Sequence, residues 1–180
     1  MGRDLLLTPF YGRDSSELMR ILGIDPGLAQ TGYGLVDAEA GELHLVTYGV
    51  IHTEAADPIP ARLQIIYQTV MDLIAQYEPT AAAIEELFFG KNITSAIQVG
   101  KSVGVISLAC AHAGLMAAEY SPAKIKDAVT GYGKADKAQV QLMVRNLLNL
   151  EETPSPDHAA DSLAVAITHF QYTRYQQLFE

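Results

Sequence analysis

The chain has little cysteine and no apolar run long enough to cross a membrane. Cys110 is the only cysteine among 180 residues, so no intrachain disulfide can form, and a cytoplasmic location is predicted. The longest charge-free apolar run covers residues 102–118, which is shorter than the roughly 20 residues that a membrane-spanning helix needs. We therefore expect that no membrane is a partner of this protein.

The N-terminal residues lack a targeting signal. Residues 1–18 contain neither the long apolar centre nor the small-residue cleavage site of a signal peptide. They also show no clear periodicity. We expect residues 1–19 to form a disordered extension, with Met19 as a candidate for the original start, followed by one domain over residues 20–175 and a tail over residues 176–180.

Basic residues are outnumbered, 12 against 21 acidic ones, which gives a formal net charge of −9. Net charge sets the long-range field, so this total argues against a polyanion as partner. The distribution is uneven, because residues 88–145 carry seven basic residues and three acidic ones. The basic residues of this segment are Lys91, Lys101, Lys124, Lys126, Lys134, Lys137 and Arg145. Since charges are screened over about 8 Å at physiological salt, nucleic acid is not excluded.

The hydrophobic pattern predicts one α/β domain. Hydrophobic residues make up 49% of the chain, enough for a sizeable core. Short apolar runs predict strands at 21–25, 31–37, 43–51, 81–85 and 115–120, with a hairpin turn at the sequence EAGE. Helical spacing predicts helices at 63–77, 92–113, 136–150 and 156–175, and a short helix that Ser121 can cap and Pro122 begins.

Three acidic residues occupy positions where the pattern expects apolar ones. Asp25 ends a strand that should be buried on both faces, and Glu85 ends another strand. Asp161 opens the apolar face of the last helix, and either Asp157 or His158 shares its side of that helix. A lone buried carboxylate is costly, so such groups are normally paired, hydrogen-bonded or bound to a metal.

A cluster of these carboxylates would suit two divalent cations, which take oxygen ligands. The chain shows no convincing Ser-His-Asp or Cys-His arrangement that would favour a side-chain nucleophile. Each acidic residue taken alone also has a structural explanation. Asp25 precedes Pro-Gly and could be a turn residue, and Asp157 could simply complement a helix N-terminus.

Taken together, four segments resemble the RuvC family of Holliday junction resolvases in order and spacing. They are ILGIDPGLAQTGYG, AIEELFF with the following KN, KADKAQVQLMVR and AADSLAVAITH. The resemblance covers residues 20–169 and implies an RNase H-like fold, a five-stranded mixed sheet flanked by helices. It further implies a homodimer that cuts opposed strands of a four-way DNA junction with Mg²⁺ or Mn²⁺, two ions per active site. A branch-migration motor complex is a further implied partner.

The resemblance assigns catalytic and metal-binding roles position by position. Asp25 matches the first-strand aspartate, Glu85 the fourth-strand glutamate and Asp161 the last-helix aspartate. The fourth position falls on His158, where some members of the family carry aspartate. Asp25 would bridge the two ions, which would activate water and stabilise the departing oxygen.

DNA contacts are expected from the basic segment and from one aromatic residue. Phe88 matches the junction-contacting aromatic of the family, whereas Phe89 is expected in the core. Lys126 and Lys137 match positions implicated in DNA contact and catalysis. Weaker candidates for phosphate contacts are Lys91, Lys101, Lys124, Lys134 and Arg145.

The helix predicted at 92–113 carries a stripe of small residues. These are Gly100, Gly104, Ser107 and Ala111, at helical spacing. Such a stripe allows close approach of a second copy in a homodimer, although it could equally face the sheet of its own domain.

Two other functions stay open at this point. The opening Asp-Pro-Gly and Thr-Gly-Tyr-Gly also resembles the phosphate loop of actin-like and sugar-kinase proteins, which bind ATP. Those proteins need a second, similar domain, for which this chain is too short. The other alternative is a non-catalytic junction-binding protein of the same fold, which would lack one or more of the carboxylates.

Overall fold

The structure of the chain is a computed structural model that describes residues 18–86 and 93–177. This part of the chain contains five strands and five helices. Three strands come first, helices and strands then alternate through the fifth strand, and three helices end the domain. The strands are β1 (Met19–Asp25), β2 (Gln30–Glu39), β3 (Glu42–His52), β4 (Ala81–Glu85) and β5 (Ala117–Tyr120). The helices are α1 (Ile59–Tyr77), α2 (Ile93–His112), α3 (Pro122–Thr130), α4 (Lys137–Leu147) and α5 (Asp157–Gln177).

The strands form one mixed sheet in the order β3-β2-β1-β4-β5. β1 is central, antiparallel to β2 and parallel to β4. β2 and β3 form the hairpin that EAGE predicts, with Ala40 and Gly41 both at positive φ, as a two-residue turn of this kind requires. The predicted five-stranded mixed sheet flanked by helices is confirmed.

Helices cover both faces of the sheet, and side-chain alternation divides β1 and β4 between the two cores. α1 and α2 pack on the face to which Leu22, Ile24 and Ile84 point. α3, α4 and α5 pack on the opposite face, which receives Ile21 and Ala83. Successive residues of a strand point to opposite faces, so Asp25 and Glu85 both belong to the face that α5 covers.

Glycines on this face let α5 approach the backbone of the sheet. Gly23 and Gly34 are cross-strand partners. A Cβ atom at Gly23 would lie 2.6 Å from the backbone nitrogen of Ala166, and one at Gly34 would lie 2.7 Å from a methyl carbon of Leu163. At Gly32 a Cβ atom would overlap the carbonyl oxygen of His158. The close packing of α5 therefore depends on these three glycines.

The starts of α3 and α4 agree with the predictions in position, with one correction in chemistry. α4 begins with a capping box in which Asp136 and Gln139 exchange side-chain and backbone hydrogen bonds. α3 begins at Pro122 as predicted, but the Ser121 side chain makes no capping hydrogen bond. The proline ring already fixes the φ that the first helical position requires, so this helix starts without a hydroxyl cap.

Several predicted features lie outside the described residues. They include Phe88, Phe89, Lys91, most of the predicted extension and the last residues of the predicted tail.

Two element boundaries differ from the prediction: β5 begins at Ala117, two residues later than predicted, and α1 begins earlier, at Ile59. None of the helices in the described ranges is both long and apolar enough to span a membrane.

Candidate active site

The carboxylates of Asp25 and Glu85 meet at one end of the sheet. Each is the last residue of its strand, and the preceding residues, Ile24 and Ile84, are neighbours in the parallel pairing of β1 and β4. After burial, the negative charge of Asp25 is one of the influences that raise the pKa of Glu85. The carboxyl ends of the two central parallel strands therefore place both groups at a single point on the α5 face.

The first turns of α5 bring His158 and Asp161 to the same point. Because Gly32 lies opposite Asp25 in the sheet and has no side chain, the backbone at His158 rests directly on β2. His158 Nδ1 lies 2.6 Å from Oδ2 of Asp25. One ligand atom from each of Asp25, His158 and Asp161 lies within 4.8 Å of the others, close enough to share a metal ion.

Burial and mutual repulsion disfavour negative charge at this site. Burial raises the pKa of Asp25 above its ordinary value, although the hydrogen bond and charge of His158 act in the opposite direction. Burial, followed by the charges of Asp25 and Asp161, raises the pKa of Glu85 to about 8. Neighbouring carboxylates that resist ionisation together are typical of a site that a cation completes.

The donor set fits a hard divalent cation. Asp25, Glu85 and Asp161 offer carboxylate oxygens, the ligands that magnesium and manganese prefer, and His158 offers an imidazole nitrogen that manganese also accepts. The general prediction of divalent metal use is supported by this fit.

Beside this cluster a cleft of about 230 Å³ connects the carboxylates to two lysines. The charged side chains that line it are Glu85, Lys126, Lys137 and Asp161. Lys126 comes from α3, and Lys137 is the first residue of α4. A phosphate group in this cleft would face both lysines while lying against the carboxylates.

Lys137 is held between two aspartates of α5. Its Nζ lies 3.0 Å from Asp161 and 3.1 Å from Asp157. Gln141, one turn further along α4, donates to the other oxygen of Asp157 at 3.0 Å. Although burial acts against it, the hydrogen bonds to the two aspartates raise the pKa of Lys137, so its charge is secure at neutral pH.

The structure separates the two residues between which the sequence pattern could not choose. His158 lies against Asp25, whereas Asp157 lies at the exposed edge of α5. The hydrogen bond from Lys137, then that from Gln141, lowers the pKa of Asp157. Sequence analysis missed the role of Gln141, although its spacing of four from Lys137 places both on one face of α4.

The remaining basic candidates lie in different places. Lys134 is exposed in the loop between α3 and α4, and Lys124 is exposed on α3. Lys101 is exposed on α2, the helix that covers the opposite face of the sheet from the cleft. Arg145 is half-buried and donates to Asn146 at 3.4 Å. Lys126 and Lys137 are thus the two predicted lysines that the described structure brings to the cleft.

The small-residue stripe of α2 faces outward in part. Gly104 and Ala111 are exposed, whereas Gly100 and Ser107 are half-buried. A Cβ atom at Gly104 would meet no atom within 4 Å. Apolar side chains continue this surface along the same face of α2, with Ile97 55% exposed and Leu108 49% exposed.

The glycine-rich opening serves packing in this structure. Gly27 lies in a tight turn where a Cβ atom would overlap the carbonyl oxygen of Gln30, and the Thr31 hydroxyl donates to Gly27 at 2.6 Å. Gly32 and Gly34 are covered by α5. This arrangement explains the motif without a nucleotide and weakens the ATP-binding alternative.

Comparison with known proteins shows the family of the chain. The family model of crossover junction endodeoxyribonuclease RuvC matches residues 21–169. A protein of that name from Brevibacillus brevis is 49% identical over 162 residues, covering 90% of this chain and 98% of the relative. One from Heliobacterium modesticaldum is 53% identical over 149 residues, covering 83% of this chain and 92% of the relative.

A solved structure extends this agreement to the fold. T. thermophilus RuvC in complex with Holliday junction substrate is similar with a TM-score of 0.84 and 37% identity, covering 88% of this chain and 96% of that chain. The RNase H-like prediction is confirmed. The nuclease prediction is confirmed over both alternatives, and the chain belongs to the RuvC family of crossover junction endodeoxyribonucleases.

Proposed function

We propose that this protein resolves four-way DNA junctions during recombination and repair, by paired hydrolysis of phosphodiester bonds in opposed strands. One observation carries the proposal. One possible metal-ligand atom from each of Asp25, His158 and Asp161 lies within 4.8 Å of the other two, at the end of the central strand. These residues belong to a chain whose relatives are crossover junction endodeoxyribonucleases.

We further propose that Asp25, Glu85, His158 and Asp161 would hold the divalent cations, two Mg²⁺ or Mn²⁺ ions per active site. The central place of Asp25 supports this assignment, since its carboxylate contacts His158, and Glu85 ends the neighbouring parallel strand. Divalent cations bound there supply a hydroxide-like water at neutral pH and stabilise charge on the departing oxygen.

The side chains around the carboxylates take complementary roles in this proposal. Lys137 binds a non-bridging oxygen of the phosphate that is cut, because its ammonium group lies 3.0 Å from Asp161 at the edge of the cleft. Lys126 binds the same strand from α3. His158 holds the Asp25 carboxylate in place through Nδ1, since an ionised carboxylate can only accept that hydrogen bond.

The wider DNA contacts follow from charge and from the family resemblance. Lys126 and Lys137 line the cleft. Lys134 is exposed in the loop between α3 and α4, three residues before Lys137. These three lysines form a basic edge next to the carboxylates. A contact by Phe88 is proposed from the family resemblance, and a contact by Lys91 from its charge. These two residues follow Glu85 by three and six residues.

We propose a homodimer in which the exposed face of α2 meets its copy. Gly104 lies in open space, with apolar Ile97 and Leu108 on the same face. Gly104→Leu should lower the dimer fraction in sedimentation equilibrium without lowering the Tm of the monomer, because no atom in the described part of the chain lies within 4 Å of a Cβ at this position. Ala75→Leu adds comparable apolar bulk at an exposed position of α1 and is the control. Equal dimer fractions for both variants would contradict the proposed interface.

A branch-migration motor partner and a cytoplasmic location are proposed from the sequence alone.

The test of function uses labelled four-way junction and a linear duplex of matched sequence. Each is incubated with the protein in Mg²⁺, Mn²⁺ or EDTA. We expect symmetrical cuts in two opposed strands of the junction with either metal, and none in EDTA or in the duplex. Equal cleavage of both substrates would contradict structure selectivity, and binding without cleavage in either metal would favour the non-catalytic alternative.

A further inference from the structure

The loop between α3 and α4, residues 131–136, presents one exposed aromatic side chain. Tyr132 is 58% exposed, between Gly131 and Gly133. None of the roles assigned above uses it. A large exposed ring that is not part of a core is typical of a binding surface when charged groups of one sign surround it.

The backbone of Tyr132 is held in place. Gly131 ends α3 in the left-handed conformation, with φ of 74°. The Tyr132 N–H donates to the Thr130 hydroxyl oxygen at 3.1 Å, and that hydroxyl lies 2.8 Å from the carbonyl oxygen of Lys126. The carbonyl oxygen of Tyr132 accepts from Ala135 N–H at 2.9 Å. The ring therefore projects from an ordered turn, which lowers the entropy cost of binding through it.

The loop is continuous with the cleft that holds the carboxylates. After Tyr132 the chain returns along α3, so that a Cβ atom at Gly133 would lie 3.3 Å from the carbonyl oxygen of Ala123. It then reaches Lys137, which lines the cleft. Lys126 also lines the cleft. It lies one helical turn before Thr130, whose hydroxyl oxygen accepts from Tyr132 N–H.

Charge on this surface favours a polyanion. Four lysines lie on α3, the loop and the first turn of α4, against two aspartates. The lysines are Lys124, Lys126, Lys134 and Lys137, and the aspartates are Asp127 and Asp136. Asp136 is engaged in the capping box of α4. A DNA strand whose phosphate enters the cleft would thus continue over a basic surface toward Tyr132.

We infer that Tyr132 stacks on a nucleobase of the bound junction, a few nucleotides from the phosphate in the cleft. Near the branch point bases are free to unstack, and an aromatic ring binds any of them through its face. The inference rests on the proposed function, because it requires that the junction be bound across the cleft. It adds a DNA contact to the one proposed for Phe88.

The chain contains no tryptophan, which permits a direct test. In Tyr132→Trp the single indole should lose fluorescence when junction is added in EDTA, because stacking on a base quenches it. The matched control is Tyr175→Trp, at a position 64% exposed near the end of α5, beside a groove formed with β3 and α4. The control should bind equally by anisotropy of labelled junction and keep its fluorescence.

The outcomes separate this inference from the proposed function. Binding by anisotropy without quenching of Tyr132→Trp would overturn stacking while leaving junction binding intact. Equal quenching in both tryptophan variants would overturn it as well. Absence of binding in every variant and in the unmodified chain would instead remove the proposed function on which the inference depends.

A second measurement checks that the ring contributes affinity. Tyr132→Ala should raise the Kd for junction by about 5- to 100-fold, the range expected for loss of one base–aromatic stack. Tyr132→Phe should bind like the unmodified chain, because stacking does not require the hydroxyl group. The Tm of both variants should stay unchanged, since the side chain is exposed. A Tyr132→Phe variant as weak as Tyr132→Ala, or an unaffected Tyr132→Ala, would overturn the inference.

Discussion

His158 and Asp25 are 133 positions apart in sequence, yet Nδ1 of one lies 2.6 Å from Oδ2 of the other. The contact joins the first turn of the last helix to the end of the central strand. It is possible because Gly32, the β2 partner of Asp25, leaves room for the backbone of α5. The family motif TGYG and the catalytic candidates are therefore parts of one packing arrangement.

The first prediction concerns the fourth member of the site. His158→Ala should reduce single-turnover cleavage of a junction by roughly 100-fold or more, because it removes both a metal ligand and the partner of Asp25. His158→Asp should retain activity, since a carboxylate also suits the metal. Cleavage rates measured at one saturating junction concentration are sufficient.

Asp157→Ala is the matched variant, one residue away on the same helix. Asp157 is exposed and contacts Lys137 rather than Asp25, so most of the cleavage activity should remain. Loss of activity in Asp157→Ala together with full activity in His158→Ala would contradict the assignment.

A second prediction follows from the raised pKa of Glu85. The native state holds this proton more tightly than the unfolded state, whose glutamate titrates near its ordinary 4.5, because the native pKa is about 8. The free energy of unfolding of the metal-free protein should therefore fall as pH rises from about 4.5 to about 8. The contribution of Glu85 should be on the order of 5 kcal/mol, at about 1.4 kcal/mol for each unit of the pKa difference.

Urea unfolding in EDTA across that pH range measures this effect. Glu85→Gln cannot ionise, so its stability should fall less with rising pH and should exceed that of the unmodified chain at pH 8. Millimolar Mg²⁺ or Mn²⁺ should raise the free energy of unfolding of the unmodified chain at pH 8, but it should not raise that of Asp25→Asn. Parallel pH curves for the unmodified chain and Glu85→Gln would show that Glu85 does not carry the effect.

Much of this arrangement could be predicted from sequence because it depends on local patterns. The strand ending at Asp25, the turn at Ala40 and Gly41 and the start of α4 all have local signals. The five-stranded mixed sheet was predicted through the family resemblance and is confirmed. The roles of the site residues remain predictions.

Other features depend on how helices rotate against the sheet, which local patterns do not specify. Offsets of three and four from Asp161 both fall on one side of a helix, so periodicity could not choose between His158 and Asp157. The choice in the structure comes from the contact of α5 with Gly32. The position of Lys137 between two aspartates likewise requires the relative placement of α4 and α5.

A third prediction concerns the lysines of the cleft. Lys126→Ala and Lys137→Ala should each weaken junction binding and reduce the slope of log K against log salt by about 0.9, the value for one lost phosphate contact. Arg174→Ala is the control, because this exposed arginine lies near the end of α5, beside the groove formed with β3 and α4 and away from the cleft. Slopes that are equal for all three variants would argue against the cleft as the path of the DNA.

The packing of α5 on glycine gives a fourth prediction. Gly23→Ala should destabilise the fold by about 1 to 3 kcal/mol, because its Cβ atom would press on the backbone of Ser162 and Ala166. Metal affinity should fall with it, since α5 carries two of the proposed ligands. Gly104→Ala is the control, with open space at its Cβ and a gain of about 0.5 to 1 kcal/mol expected in a helix interior. Thermal unfolding of the two variants, each at a concentration where the chain is monomeric, distinguishes these results.

Asp25→Asn should separate cleavage of the junction from binding of the junction. We expect single-turnover cleavage of a four-way junction in Mg²⁺ to fall by about 10³-fold or more. The Kd for the same junction in EDTA should stay close to that of the unmodified chain, because the phosphate contacts come from the lysines of the cleft. Cleavage that survives the substitution would contradict the account, as would the loss of folding and binding together with cleavage.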